Sequence, residues 1–215
     1  MSLIKSISGI RGTIGGTKGE NLTPEDVVKF VAAYAQWLKD ASKKEQLKVV
    51  VGRDSRISGP MVKMLVNGTL SGCGIDVLDI NLATTPTTEM AVTHFDADGG
   101  LILTASHNPL EWNALKMLNA KGEFLNDAEG KAILEIAEKG NVSYARVDQL
   151  GIVERKDFHH EHIKAITDLG LVNSNSIAKK NYKVVIDGIN SVGALIIPDL
   201  LKALGVNEII ELNKE

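Results

Sequence analysis

Apolar residues recur along this chain in two rhythms, and the change from one to the other marks out helices and strands. In TPEDVVKFVAAYAQWLK, Val27, Phe30, Val31, Tyr34 and Leu38 fall on one face of a 3.6-residue repeat. The same stretch supplies its own start. Thr23 caps the first turn, Pro24 suits the first helical position, and Asp26 stands where a capping box places its acid. KVVVG (48–52) is instead a continuous β-branched run of the kind buried on both faces of a sheet. After a loop, RDSRISGP, a helix is predicted over MVKMLVNGTLSGCG, closed by Gly72 and Gly74. IDVLDI (75–80) reads as a second strand, TTPTTEMAVTHF as turn plus helix, and GGLILTA (99–105) as a third strand. ALKMLN (114–119) gives a short fourth strand and NDAEGKAILEIAEK (126–139) another helix.

Strands alternating with helices at this spacing predict an α/β fold, a mainly parallel mixed sheet sandwiched by helices, with ligands collecting at the carboxyl ends of the strands. Between Gly140 and about Lys156 the periodicity fades. It then restarts with a helical DFHHEHIKAITDLGLV, a strand KVVIDG (183–188), a helix SVGALIIPDLLKALG and the opening of a strand in NEIIELNKE. The expected division is a first α/β domain over residues 1–140, a linker over 141–156, and a second, similar α/β domain over 157–215. One β-α unit and the start of a strand are too little for an independent core, so that second domain is expected to be incomplete.

Composition narrows the class of partner. A net charge of -3, from 24 basic and 27 acidic residues, with only 4% aromatics, offers no general attraction to nucleic acid. Any anion must be held locally. The longest apolar runs fall far short of the roughly 20 residues a bilayer crossing needs, so no membrane span is expected. The first residues lack the apolar core of a secretory signal, and Cys73 has no second cysteine to pair with. A cytoplasmic protein is the expectation, with Cys73 as a small packing residue.

The chemistry concentrates in LILTASHNPLEWNALK (101–116), where a buried strand gives way to Ser106, His107, Asn108 and Pro109. Asn108-Pro109 forces a turn, which keeps the serine hydroxyl out of a helix at the strand's carboxyl end. An acyl-transfer serine needs a base and a G-x-S-x-G elbow, and this one lies in T-A-S-H-N with the adjacent His107 side chain expected to point elsewhere. Phosphoryl transfer asks for a hydroxyl and for cations to offset about 1.5 to 2 negative charges. Lys116, Arg11 in a glycine-rich loop, and Arg53 and Arg56 after strand 48–52 are the candidates. Arg53, Asp54 and Arg56 are expected to form a local ion-pair and turn network first. Neither glycine-rich nucleotide motif is present. His159, His160 and His162 have a metal-like spacing, but no cysteine is near, and a solvated helix start is the expectation.

TASHNPLEWNALK (104–116) resembles the active-site loop of the α-D-phosphohexomutases, the phosphoglucomutase, phosphomannomutase and phosphoglucosamine mutase group. SGIRGTIGG (8–16), VGRDSRISGP (51–60) and TTPT (84–87) are similar to further motifs of that family, and VVIDGINSVGALIIPDLL (184–201) to the start of its second domain. The resemblance implies that Ser106 is the phosphoserine, its phosphate also a Mg²⁺ ligand, and that Lys116 and Arg11 assist proton movement or offset the transferring charge. It implies loop-shaping roles for His107 and Asn108, and phosphate-loop contact for Arg53. The implied reaction interconverts hexose 1- and 6-phosphates through a bisphosphorylated sugar, with hexose 1,6-bisphosphate as activator. Ser6-Ile7-Ser8 and Asn113-Ala114 differ from the family's pattern, and its D-G-D-x-D-R metal loop has no match. Asp96-Ala97-Asp98 reads as a helix-to-strand turn. The expectation is therefore an N-terminal portion of a longer enzyme, inactive alone, whose partners are a hexose phosphate and further C-terminal domains. A non-catalytic sugar-phosphate-binding or domain-packing module is the alternative.

Overall fold

The computed structural model describes residues 2–6 and 9–214. Ile7 and Ser8, two of the residues that depart from the family's opening pattern, lie outside the described residues.

The first strands are β1 (Ile4–Ser6) and β2 (Gly9–Thr13), a hairpin that the glycine-rich sequence concealed. Arg11 thus sits on a strand rather than in a loop, which corrects the sequence reading. Glycine is depleted in strands generally, but here its missing side chain is used. A Cβ on Gly9, whose φ is +121°, would lie 2.3 Å from the Leu115 carbonyl oxygen. Helix α1 (Pro24–Ala41) starts as its residues dictate, with Thr23 accepting from the Asp26 amide and the Asp26 carboxylate accepting from Thr23. β3 (Leu47–Arg53), α2 (Gly59–Gly72), β4 (Ile75–Leu82), α3 (Thr85–His94) and β5 (Gly99–Leu103) follow in alternation. β6 (Trp112–Leu118) starts two residues before the expected strand, and α4 (Asp127–Lys139) is closed by Gly140 in the left-handed region.

The main sheet has seven strands in the order β1-β2-β6-β5-β3-β4-β7, where β7 is Val153–Arg155. β5, β3, β4 and β7 run parallel, while β6, β2 and β1 are each antiparallel to the preceding neighbour. Alternation along β3 sorts the core: Val49 and Val51 face α1, α2 and α4, whereas Val50 faces α3 with Val92 and Phe158. The Tyr34 hydroxyl crosses the first layer and donates to the Leu118 carbonyl at 2.7 Å, with the Gly100 carbonyl at 3.2 Å. Gly99 makes room for it, since a Cβ there would stand 2.0 Å from that oxygen.

The stretch expected as a linker is pinned to the sheet. Ser71 donates to the Gly151 carbonyl at 2.6 Å, the Ile152 amide donates to Asp76 at 2.8 Å, and β7 extends β4. Its three residues are exposed, so no apolar alternation announced it. Beyond it come α5 (His159–Thr167), the short α6 (Ser174–Ala178), β8 (Lys183–Asp187), α7 (Gly193–Ala203) and β9 (Glu208–Leu212), with β8 and β9 a parallel pair.

The histidine cluster is not a uniformly solvated helix start, as the sequence suggested. His162 is buried, 6% exposed, with Nδ1 2.9 Å from the Thr87 hydroxyl, because α5 packs that face against α3. Among the described residues no group of three His, Cys, Asp or Glu is placed to hold a metal ion. Cys73 is buried, and burial pushes its thiol pKa up. Asp98 accepts from the Lys48 amide at 2.9 Å, while Asp96 takes a positive φ, as a helix-to-strand turn requires.

Candidate active site

The second face of the sheet is only partly covered. α3 packs over β3 and β5, and Arg11 and Lys116 project from the same face of neighbouring β2 and β6, where α3 does not reach. Arg11 pairs across the ladder with Ala114, and Lys116 follows Ala114 two residues on, so the three share one face. A cleft of about 260 Å³ opens there. Its walls bring together Ser106, His107, Asn108, Arg11 and Lys116, with Thr104, Ala114 and Phe124 beside them. A roomier apolar groove of about 550 Å³ lies between α1 and α4, but it holds none of these residues.

β5 ends at Leu103, two residues short of the expected strand, so Ser106 lies three residues beyond it; it is exposed, as is His107. Its backbone is left-handed, with φ 55°. That costs a non-glycine residue about 1 to 2 kcal/mol and must be offset by its surroundings. The Ser106 amide donates to the Thr104 hydroxyl at 3.1 Å, and the Asn108 amide to the Ala105 carbonyl at 3.1 Å. Thr104 in turn donates to Asp54 at 2.6 Å.

Arg56 completes the support, and the sequence reading had missed this role. Nη2 donates to the Ser106 and Asn108 carbonyls at 2.8 and 2.7 Å; Nη1 donates to Pro109 and Trp112 at 2.8 and 2.9 Å. Nε lies 3.3 Å from Asp54 Oδ2, in ion-pair range though not aligned as a hydrogen bond. The local Asp54–Arg56 pair was foreseeable. The four carbonyls, some fifty residues away, carry no signal in the sequence around Arg56.

Arg53 corrects the sequence reading in the other direction. Its guanidinium donates to Asn81 Oδ1 at 3.2 Å and to the Asp54 carbonyl at 2.9 Å, and it does not line the cleft. Burial lowers its pKa from the ordinary arginine value, with Asp79 and Asp54 opposing the shift. Arg11, by contrast, is exposed and makes no ion pair with any described residue. Lys116 Nζ lies 5.7 Å from the Phe124 ring centroid. Its charge also reaches Glu89 on α3, whose carboxyl pKa is raised by burial and held back by that lysine. The Asn113-Ala114 departure is accommodated: Asn113 is fully buried and donates to Ser58 at 2.9 Å, while the Ala114 methyl faces Arg11 across the ladder. The cleft thus offers an exposed hydroxyl, two cations that make no ion pair among the described residues, and imidazole and amide groups at its rim.

Known proteins resemble this chain in sequence and in fold. The family pattern described as phosphoglucomutase/phosphomannomutase, alpha/beta/alpha domain I, matches residues 3–143. A phosphoglucomutase/phosphomannomutase of Thermococcus kodakarensis is 38% identical over 197 residues, covering 90% of this chain and 42% of that protein. A phosphoglucosamine/phosphogalactosamine mutase of Sulfurisphaera tokodaii is 34% identical, over 95% of this chain and 43% of its own length. The chain therefore spans less than half the length of these relatives. Among solved structures, a phosphoglucomutase/phosphomannomutase family protein from Burkholderia thailandensis shares the fold, with a TM-score of 0.76 and 24% identity over 98% of this chain and 44% of its own. With the pattern matching most of its residues, the chain belongs to the phosphoglucomutase/phosphomannomutase family.

Proposed function

We propose that this chain is the phosphoryl-carrying portion of a phosphohexomutase, with Ser106 as the carrier. In the first half-reaction the bond between phosphorus and Ser106 Oγ breaks and a bond to a sugar hydroxyl oxygen forms. The proton of that hydroxyl ends on Ser106 Oγ. The bisphosphorylated sugar then turns, and the reverse exchange at its other phosphate restores phosphoserine and leaves the isomeric hexose phosphate. Arg11 and Lys116 offset the charge on the transferring group, Lys116 assists the proton's passage, and His107 and Asn108 shape the rim. Arg53 is assigned no phosphate contact, because its donors are taken by Asn81 and Asp54.

One observation carries this reading: an exposed hydroxyl on a left-handed turn shares a cleft of about 260 Å³ with Arg11 and Lys116. The Mg²⁺ that the resemblance implies would take an oxygen of the serine phosphate and neutralise transferring charge. The described residues form no metal site of their own, so no step is routed through it. We propose further that complete turnover requires carboxylate ligands outside these 215 residues.

Intact-mass measurement after incubation with hexose 1,6-bisphosphate tests the reading. The expected result is one added phosphate, mapped to Ser106 and absent from Ser106→Ala, with no isomerisation of hexose 1-phosphate by this chain alone. No phosphate on Ser106, either as isolated or after incubation, would overturn it.

A further inference from the structure

We propose that Arg56 is the positioning residue of the Ser106 loop, holding the carrier serine in its left-handed conformation and drawing the loop's carbonyl oxygens away from the transferring phosphoryl group. The proposal rests on the reading of Ser106 given above, but its structural half stands without it.

A phosphorylated serine places two negative charges beside a tight turn, and turns expose carbonyl oxygens that would repel them. In this loop the carbonyls of Ser106, Asn108, Pro109 and Trp112 all point to one guanidinium, at 2.7 to 2.9 Å. That guanidinium is not among the walls of the cleft, so the four oxygens are engaged by a cation that stands outside it. Only a planar fork with five donors can serve four acceptors and still pair with a carboxylate; a lysine ammonium has three donors at one point. The fork is itself fixed. Asp54 Oδ1 accepts from the Arg56 amide at 3.0 Å, while Oδ2 takes the Thr104 hydroxyl and faces Nε. Asp54 therefore ties the fork to Thr104, whose hydroxyl receives the Ser106 amide. Both ends of the strained residue are held through one carboxylate. Arg56 spends its donors on the loop, which leaves Arg11 and Lys116 to meet the anion.

The test uses Arg56→Lys and Arg56→Gln in the full chain, with Asp54→Asn as a milder break of the same network and Arg146→Gln as an exposed control. Amide exchange is followed at Ser106, Asn108 and Trp112, alongside core amides of β3 and α1 that report folding. Both Arg56 variants should lose protection at the three loop amides while the core stays protected, and Asp54→Asn should do so less. Phosphate gain from hexose 1,6-bisphosphate, measured at saturation, should slow about 100-fold in Arg56→Lys with little change in the concentration giving half the maximal rate. Arg146→Gln should match the unsubstituted chain in both. Loop protection unchanged in Arg56→Lys and Asp54→Asn would overturn the proposal. So would intact phosphate gain at saturation in a variant whose loop had loosened. An unsubstituted chain that takes no phosphate would instead count against the reading of Ser106, and loop exchange alone would then decide the role of Arg56.

Discussion

The two sheets of this chain are made from similar sequence and live in different surroundings. β3 and β5 are continuous apolar strands, and Val49, Val50, Val51, Leu101 and Leu103 are fully buried between helical layers. β8 reads almost the same, KVVID, yet Val185 is 57% exposed, and its neighbours Ile210 and Leu212 on β9 are 40% and 47% exposed. A β-branched run specifies a strand in both places. Whether that strand contributes a core depends on what lies over it, because apolar side chains stabilise only in proportion to the area removed from water.

The largest test of this contrast compares matched truncations. Leu101→Ala in the covered sheet should cost about 2 to 5 kcal/mol, since it leaves a cavity among fully buried neighbours. Val185→Ala in the open pair should stay within about 0.5 kcal/mol. Urea midpoints of the two variants check this, and equal losses would break the distinction. Next is Gly9→Ala, at the β2 end of the covered sheet. A methyl there meets the Leu115 carbonyl in a backbone conformation that suits glycine, and a loss of about 1 to 3 kcal/mol is expected by the same measurement.

The seam between the two regions gives a third test. Burial, reinforced by the charge of nearby His159, lowers the His162 pKa below its ordinary value, so the unfolded chain binds the proton more readily than the folded one. The contribution is fully present above about pH 6.5, the unfolded value, and is lost as pH falls through the lower folded value. Between about pH 7.5 and pH 5.5, the unsubstituted chain should therefore lose more stability than His162→Gln does. Identical pH profiles would show that α5 is not seated by a neutral imidazole. The smallest effect is expected at the surface of α4, where Lys131 and Asp127 pair at 2.6 Å, both well exposed. Asp127→Ala should cost no more than about 0.5 kcal/mol, and less still in high salt.

What could be read in advance follows from the range of each signal. Helix caps are local, so Thr23 with Asp26 marked the start of α1 correctly. That β3, β4 and β5 run parallel was legible in their spacing, though their order in the sheet was not. β2 was hidden because its glycines serve close packing, Gly9 against β6 and Gly12 against Leu22, and β7 because an exposed three-residue edge strand has no apolar face to display. In the cleft, Ser106, Lys116 and Arg11 stood in recognisable motifs. Arg56 did not declare its role, since all four of its acceptors arrive from a segment some fifty residues away, and Arg53 misled because its partner Asn81 lies on a different strand, β4.

The backbone sign at residue 106 also bears on which amino acids could stand there. A β-branched residue is a genuine outlier at positive φ, whereas aspartate is enriched in that region. Threonine carries the same hydroxyl as serine, but its extra methyl would oppose this turn. Aspartate would sit in it with less strain and bring a permanent negative charge. The fold thus discriminates between two hydroxyl amino acids through a single dihedral angle, before any substrate arrives.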